Sequence, residues 1–372
     1  MSWSPQQDAA IRDVRAWLAD PSGAQVFRLF GYAGTGKTTL AKELASKVKG
    51  TVLYATFTGK AALVLRKKGC EEASTIHSLI YQFEMNERTG EVEFQLNKGS
   101  SLADAALLIV DEVSMVGEGL ANDLLSFGTR ILVLGDPAQL PPVKDEGFFI
   151  NAKPDVMLTE VHRQARDNPI IRMSMDIREG KALQLGGHGD SLVTPSSALG
   201  RDRLGELVLS ADQLLCGLNR TRTSYNQRIR AMKGLSGKRQ QWHPTVGDRL
   251  ICLRNDRKKH LFNGGIWDAD RIDDFGGGKL GIEVTSLDEK RDPLSVEVLE
   301  PFFNGTEQSI PWQQKRGTQE FTFGWAITCH KSQGSQWDHV IIFDESGAFR
   351  EAKKNWLYTA VTRAAERVTV IV

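Results

Sequence analysis

Short apolar runs alternate with helix-like stretches along the first part of the chain. Helices are predicted over 38–48 and 59–68. Strand-like runs, each bounded by glycine, threonine or acidic residues, cover 26–30, 52–55, 107–110 and 131–134. Runs of this length and composition are typical of buried parallel strands. The alternation therefore predicts an α/β fold with helices on both faces of a parallel sheet.

The same pattern returns late in the chain and predicts a second α/β domain. Its strands are expected at 213–218, 340–343 and 368–372, with a helix over 353–365. Between them, residues 244–316 change character, with strand-like runs at 249–254, 265–270, 280–285 and 294–299 joined by glycine- and proline-containing turns. This insertion is predicted to form a small antiparallel barrel.

A shorter insertion at 81–97 reads as a β-hairpin, because apolar and polar residues alternate on both sides of a turn-like segment. The predicted division is a first domain over 1–152 that carries this hairpin, and a second domain over 153–243 and 317–372. The barrel at 244–316 interrupts the second domain.

Composition excludes several classes of protein. The 372 residues carry a formal net charge of only +1, so a nucleic-acid partner must bind a local groove and cannot be inferred from bulk charge. The polar start and the lack of a long apolar run predict a cytoplasmic protein without a membrane span. No metal-ligand spacing relates Cys70, Cys216, Cys252 and Cys329, which are expected to be free thiols.

A phosphate-binding loop is predicted at residues 31–38, which read GYAGTGKT directly after a strand and before a helix. Its glycines let backbone N–H groups surround phosphates, while Lys37 neutralises their charge and Thr38 holds Mg²⁺. ATP and Mg²⁺ are therefore the expected cofactors. The nucleotide-binding residues predicted from this motif are Gly34, Thr35, Gly36, Lys37, Thr38 and Thr39.

The next predicted strand ends in two carboxylates, since residues 107–112 read LLIVDE. At this edge of an α/β sheet Asp111 is placed to reach Mg²⁺ and Glu112 to polarise the attacking water. Acidic residues also end strands for structural reasons alone. The order and spacing after the phosphate loop nevertheless favour a nucleoside triphosphatase.

Residues 135–143 read GDPAQLPPV and closely resemble a signature segment of superfamily 1 helicases. The segment places the amide of Gln139 on a proline-buttressed loop within reach of a γ-phosphate. Residues 4–10, SPQQDAA, resemble the adenine-reading Q motif, with Gln7 as the amide that pairs with the base. A surface turn is the structural alternative for the proline segment taken alone.

Further segments match that superfamily in order along the chain. Residues 56–62 (TFTGKAA) and 74–79 (STIHSL) resemble its first strand-contacting motifs. Residues 158–164 (LTEVHRQ) and 357–364 (LYTAVTRA) resemble motifs IV and VI, which makes Arg163 and Arg363 candidates to stabilise the γ-phosphate. Residues 328–337 (TCHKSQGSQW) resemble motif V, which touches both nucleotide and strand. Either arginine could instead form a surface ion pair.

The resemblance assigns candidate residues to each ligand. Gly334 would face the nucleotide, with Lys37, Glu112, Gln139 and the two arginines in catalysis. The candidates for nucleic-acid contact are Thr56, Lys60, His77, Phe94, Asn263, Thr328, His330 and Ser332.

Around Asn263 the barrel is similar to that of the RecD and Dda branch, which implies two RecA-like domains, an SH3-like barrel and 5′→3′ movement. The sequence departs from the family at Phe57 and Trp267, and an N-terminal extension is expected to be absent, as in a compact Dda-like form.

The resemblance implies an ATP-dependent DNA helicase acting on single strands and their junctions with duplex. It is expected to be a monomer, with single-strand-binding or replisome proteins as further candidate partners. Two alternatives remain open: a translocase that does not separate strands, and a subunit of a larger complex. In the hairpin, Phe94 is expected either to split the duplex by stacking on a base or to form part of the hairpin's own apolar face.

Overall fold

The structure is a computed structural model that describes residues 3–85, 92–141, 147–161, 167–235, 241–256 and 258–372. The chain divides into two units. Unit 1 comprises Met1–Leu183 and Arg350–Thr362, and unit 2 comprises Gln184–Phe349 and Arg363–Val372. A thirteen-residue segment near the C-terminus therefore packs with the N-terminal half of the sequence.

Helices flank the sheets of both units, and among the described ones none is long and apolar enough to cross a membrane. In chain order they are α1 (Pro5–Ala19), α2 (Lys37–Ala45), α3 (Gly59–Lys67), α4 (Ile76–Ile80), α5 (Glu118–Leu125), α6 (Pro169–Glu179), α7 (Arg201–Ser210), α8 (Asn219–Met232), α9 (Pro301–Asn304), α10 (Trp312–Lys315) and α11 (Lys353–Val361).

The strands of unit 1 are β1 (Val26–Gly31), β2 (Val52–Thr56), β3 (Ser74–Thr75), β4 (Tyr81–Met85), β5 (Val92–Leu96), β6 (Leu107–Asp111), β7 (Ile131–Gly135) and β8 (Val156–Leu158). Those of unit 2 are β9 (Gly186–His188), β10 (Ser191–Thr194), β11 (Gln213–Cys216), β12 (Arg249–Cys252), β13 (Ile266–Asp274), β14 (Lys279–Ser286), β15 (Leu294–Leu299), β16 (Phe321–Phe323), β17 (Ala326–Thr328), β18 (Trp337–Phe343) and β19 (Ala364–Ile371).

Unit 1 is built on a parallel sheet in the order β3-β2-β6-β7-β1-β8. Successive side chains of β6 enter opposite cores: Leu108 and Val110 pack on one face, whereas Leu107 and Ile109 pack on the other. This alternation follows from the two-residue period of a strand and requires apolar residues at every position of β6. The prediction of an α/β sheet covered on both faces is confirmed.

Unit 2 contains a second sheet, in the order β17-β11-β18-β19-β10-β9, whose strands are parallel except for β9. A separate antiparallel sheet lies between β11 and β17 in sequence and has the order β15-β14-β13-β12-β16. It encloses its own apolar core, in which Trp267 is 3% exposed.

The predicted helix over 353–365 is wrong at its C-terminal end. Helix α11 stops at Val361, and Ala364 begins β19, which pairs with β18. The β-branched residues Val368, Val370 and Ile371 are buried in the sheet, and side chains of this shape favour strand over helix. Helix α2 also ends earlier than expected, at Ala45.

A buried ion pair joins α8 to the antiparallel sheet. The Arg230 guanidinium donates to Asp248 Oδ1 over 2.8 Å, and both side chains are at most 2% exposed. The same guanidinium donates to the backbone carbonyls of Gln241, Leu235 and His243. Every polar group of the pair is thus directed at a partner, which a buried charge requires.

We expect Asp248→Asn to lower the free energy of unfolding by about 3–5 kcal/mol, because it leaves the buried Arg230 charge without a counter-charge. Urea denaturation followed by tryptophan fluorescence measures this change. The matched control is Asp273→Asn, since Asp273 pairs with Arg271 on the exposed surface and should contribute no more than about 1 kcal/mol. Equal losses in the two variants would contradict the structural role of Asp248.

Candidate nucleotide site and strand-contact residues

The phosphate loop runs from the end of β1 into α2 in unit 1. Gly34 and Gly36 adopt φ of +77° and +79°, a left-handed conformation that side chains disfavour. Gly31 is required for space, because a Cβ there would lie 2.7 Å from Thr35 Oγ1 and 2.8 Å from Leu158 Cβ. The loop therefore has the tight curvature that directs backbone N–H groups toward a phosphate.

Lys37 lies folded across this loop. Its ammonium donates to the carbonyl oxygens of Gly31, at 2.5 Å, and Tyr32, at 3.1 Å. Its charge also acts on the sheet edge, where it opposes the upward pKa shifts of Asp111 and Asp136. A phosphate group could exchange with the two carbonyls, since an anion is the stronger acceptor.

Asp111 and Thr38 adjoin at the end of β6. The Thr38 hydroxyl donates to Asp111 Oδ2 over 3.0 Å. Burial raises the pKa of Asp111 above its ordinary value, and the neighbouring Glu112 raises it further. A carboxylate and a hydroxyl in this position fit Mg²⁺, which commonly takes one or two protein oxygens and completes its octahedron with water and phosphate.

The described part of the chain holds no group of three or more His, Cys, Asp or Glu side chains arranged to bind a metal. Glu112 follows Asp111 with φ 56° and ψ 46°, a left-handed conformation that costs a non-glycine residue about 1–3 kcal/mol. Its backbone N–H donates to Asp111 Oδ1 at 2.8 Å.

A second carboxylate, that of Asp136, directly follows β7, the strand next to β6 in the sheet. Asp136 is buried, at 4% exposure. Tyr358 of α11 donates its hydroxyl to Asp136 Oδ2 over 2.7 Å and accepts from the Ala33 N–H of the phosphate loop over 2.8 Å. Burial raises the pKa of Asp136, while Lys37 and the Tyr358 hydroxyl oppose that shift. The Tyr358 oxygen thus links α11, the phosphate loop and the sheet edge.

Two further residues on the same face of α11 hold the loop that carries Gln139. Asn355 Nδ2 donates to the backbone carbonyls of Ala138 and Gln139, each at 3.1 Å, and Thr359 Oγ1 accepts from the Leu140 N–H at 2.8 Å. Gln139 is 9% exposed, and its Oε1 is buried without a hydrogen-bond partner among the described residues. A buried amide oxygen of this kind is suited to a ligand or an ordered water.

Gln7 is held within unit 1. Its Oε1 accepts from the Ser4 N–H, closing the capping box of α1, and its Nε2 donates to the Thr35 carbonyl, both over 3.0 Å. The side chain is 3% exposed. The structure thus brings Gln7 together with Thr35 and Gly36 of the phosphate loop, while Thr39 lies exposed on the first turn of α2.

The residues proposed for strand contact in unit 1 are in two groups. Thr56 is buried and donates to the Thr58 carbonyl over 2.8 Å, and Lys60 on α3 is 7% exposed. The second group is aromatic: the His77 ring lies 5.8 Å from Tyr81 and 6.3 Å from Phe94 between ring centroids. Strands β4 and β5 pair antiparallel, and Phe94 on β5 is 56% exposed.

In unit 2 the predicted residues lie at the end of β17, in the connection between β17 and β18, and directly before β19. Thr328, Cys329 and Ser332 are buried, and burial lowers the pKa of the half-buried His330. Arg363 is 6% exposed and donates to the Ser335 carbonyl over 3.3 Å. Gly334 adopts φ +76° nearby in sequence.

Asn263 is apart from these residues, on an exposed turn of the antiparallel sheet, where its N–H donates to Asn255 Oδ1 at 2.7 Å. Arg163 lies outside the described residues.

Sequence reasoning missed Asn355, Tyr358 and Thr359 as site residues. Their spacing of three and four residues was a usable signal, because it places polar side chains on one helical face. This spacing does not show which part of the protein the face packs against. The contact with Asp136 and Ala33 joins residues more than 200 positions apart in the chain.

Comparison with known families and relatives agrees with these features. The family described as AAA domain matches residues 2–190, and a UvrD-like helicase C-terminal domain matches 323–371. The ATP-dependent RecD2 DNA helicase of Deinococcus radiodurans is 29% identical over 97% of this chain and 48% of its own length. The ATP-dependent DNA helicase dda of Enterobacteria phage T4 is 35% identical over 45% of this chain and 42% of its length. The chain spans about half the length of these curated relatives.

Solved Pif1 helicases share the fold at low sequence identity. One, from work on forked duplex DNA and two coordinating Pif1 helicases, gives a TM-score of 0.58 at 20% identity, covering 99% of this chain and 92% of that one. Pif1 from Bacteroides, solved with ADP-AlF3 and single-stranded DNA, gives 0.56 at 18% identity with the same coverage. This likeness supports a parallel-sheet core of the RecA-like type.

Tyr358→Phe should lower the free energy of unfolding of unit 1 by about 1.5–3 kcal/mol. The substitution removes the hydroxyl that donates to the buried Asp136 carboxylate and accepts from the Ala33 N–H. Chemical denaturation measures the change. Tyr225→Phe is the matched control: the Tyr225 ring stacks on Phe343, and its hydroxyl has no hydrogen bond within the described residues. A loss below about 0.5 kcal/mol in Tyr358→Phe would show that its two hydrogen bonds do not stabilise the loop.

Proposed function

We propose that this chain, which belongs to the AAA domain family, is an ATP-dependent DNA helicase of the RecD/Dda-like branch of superfamily 1 that moves 5′→3′ on single-stranded DNA. The observation that carries this proposal is one edge of the unit 1 sheet. There Lys37, the Thr38–Asp111 contact and the buried amide of Gln139 follow three neighbouring strands. Phosphoryl transfer needs little else from a protein than such positioning and charge.

Thr38 and Asp111 would hold Mg²⁺, which neutralises phosphate charge when bound. In the proposed reaction Lys37 leaves the Gly31 and Tyr32 carbonyls and contacts the phosphates, while Glu112 orients the attacking water and Gln139 senses the γ-phosphate. Arg363 and Arg163 would add positive charge in the transition state, for which a finger arginine contributes about 10³–10⁵ in rate. The buried position of Arg363 beside Ser335 supports a fixed orientation.

The predicted division gives a first RecA-like domain over 1–152 and a second over 153–243 and 317–372. The pairing of β8 with β1 and the packing of Arg350–Thr362 in unit 1 favour extending the first domain to include both segments. The four antiparallel strands within 244–316, together with the adjoining β16, form a five-stranded sheet consistent with an SH3-like barrel. The strand would run past Thr56, Lys60 and His77 in the first domain and past Thr328, His330 and Ser332 in the second, with Asn263 contributing from the barrel.

Substitution of Lys37 and Glu112 tests the nucleotide site. We expect Lys37→Ala to abolish strand-stimulated ATP hydrolysis, because it removes the charge that neutralises the phosphates. Glu112→Gln should retain ATP binding but hydrolyse it slowly, since an amide cannot act as a base. Phosphate release and fluorescent-ATP binding are the measurements, with circular dichroism as the check of folding. Normal turnover in either folded variant would remove that residue from the proposed chemistry.

Duplexes with a single 5′ or 3′ tail test helicase activity and direction. Unwinding of the 5′-tailed substrate alone is expected. Exclusive unwinding of the 3′-tailed substrate would refute the direction, and strand-stimulated ATPase without unwinding of either substrate would indicate a translocase. Absence of any stimulation by DNA would refute the helicase assignment.

Phe94 is proposed to split the duplex, a role supported by its exposure and by its edge contact with Tyr81 at 5.8 Å. Stacking on a base contributes about 1–3 kcal/mol, comparable with the mean of roughly 1.4 kcal/mol for one duplex step. Phe94→Ala should therefore lose unwinding but keep thermal stability and strand-stimulated ATPase. Phe275→Ala, at 57% exposure, is the control. A loss of about 3–5 kcal/mol in stability would instead indicate a core residue.

A further inference from the structure

A cleft in unit 2 has an aromatic floor. It lies where α8, α9 and the 3₁₀ helix Cys329–Ser332 approach the antiparallel sheet. Phe302, Phe303 and Phe323 form the buried floor, each at most 4% exposed, and the half-buried Trp242 contributes a further aromatic ring. Because the three phenylalanine rings are buried, Trp242 is the one of these rings on which a planar group can stack.

Two cations line the same cleft. Arg222 projects from α8, and Lys331 lies on the 3₁₀ helix Cys329–Ser332. Neither charged group has a hydrogen bond or ion pair with any residue that the structure describes. Partial burial lowers the pKa of both groups, and for Lys331 the nearby Arg222 charge lowers it further, whereas the charge of Glu307 opposes the shift of both. An anion bound between them would relieve both the burial and the mutual repulsion.

The cleft also contains a carboxylate that lacks a donor. Glu307 lies on the 3₁₀ helix Glu307–Ser309, and its Oε2 is buried without a hydrogen-bond partner within the described chain. No ion pair joins it to Arg222 or Lys331 among these residues. A buried carboxylate oxygen requires an N–H or O–H group. The ligand of this cleft should therefore combine an anion, a planar ring and a hydrogen-bond donor.

We propose that the cleft binds one nucleotide of the single strand and reads its base, with cytosine preferred over thymine. Arg222 and Lys331 contact the phosphate, Trp242 stacks on the base, and Glu307 accepts from the amino group. This inference rests on the proposed function, because Lys331 stands between His330 and Ser332, two of the proposed strand contacts. It adds a base preference to the strand contacts proposed above.

The preference follows from the edge that each base presents. Cytosine carries an amino donor at N4, which a carboxylate accepts well, whereas thymine carries the O4 acceptor in the same place. Two oxygens that both accept would repel each other in the cleft. We expect oligodeoxycytidylate to bind roughly tenfold more tightly than oligodeoxythymidylate of equal length, a typical effect of one good base contact.

The test measures fluorescence anisotropy of the two labelled oligonucleotides with the full chain at neutral pH and fixed salt. Glu307→Gln should abolish the preference mainly by strengthening the binding of oligodeoxythymidylate, because the amide no longer repels O4 and can donate to it. Lys331→Ala and Arg222→Ala should weaken both oligonucleotides alike and each reduce the salt slope by about one.

Glu366→Gln is the matched control, since Glu366 is exposed on β19, away from the cleft. Thermal unfolding of each variant verifies that it is folded. Equal affinity of the wild type for the two oligonucleotides would overturn base reading, as would a folded Glu307→Gln variant that retains the preference. If oligonucleotides stimulate ATPase but are bound without preference, only this inference fails. If no oligonucleotide stimulates ATPase, the proposed function itself fails.

Discussion

The arrangement of unit 1 depends on one ammonium group placed against two carboxylates, the half-buried Asp111 and the buried Asp136. Asp111 and Asp136 end neighbouring strands, burial raises the pKa of both, and the Lys37 charge opposes each shift. Removing charges from water is costly, so the site is stable only while each carboxylate keeps its compensating partners. Thr38 supplies one for Asp111 and Tyr358 one for Asp136. One cation for two carboxylates also leaves the site suited to a divalent metal.

This constraint explains why helix α11 packs in unit 1 although its sequence neighbours lie in unit 2. The loop of residues 136–140 is largely buried, and several of its polar groups would otherwise lack hydrogen-bond partners. Three side chains of α11 supply them: Asn355, Tyr358 and Thr359. The chain crosses from unit 2 at Arg350, whose φ is +45°, and returns at Arg363. Tyr358, which contacts the phosphate loop, is consequently five positions from Arg363, the candidate finger arginine.

Among its described residues, unit 2 also contains buried charged groups, some with hydrogen-bond partners and others without. Arg230 and Asp248 are buried but fully partnered, so they anchor the antiparallel sheet. Arg222, Lys331 and Glu307 line a cleft without such partners among the described residues. The contrast separates a structural ion pair from charges available to a ligand, because polar groups in a protein interior are ordinarily satisfied.

The sequence alone determined the phosphate loop, the strand ending in Asp111 and the alternation of buried strands, because each depends on residues close together in the chain. Tertiary structure decided the rest. Helix α11 ends at Val361 because the β-branched residues that follow are buried in a sheet. Tyr358 contacts the phosphate loop only because α11 packs beside it. The cleft of Arg222, Glu307 and Lys331 joins three distant segments. No local pattern encodes such contacts, because they form only when separate elements pack together.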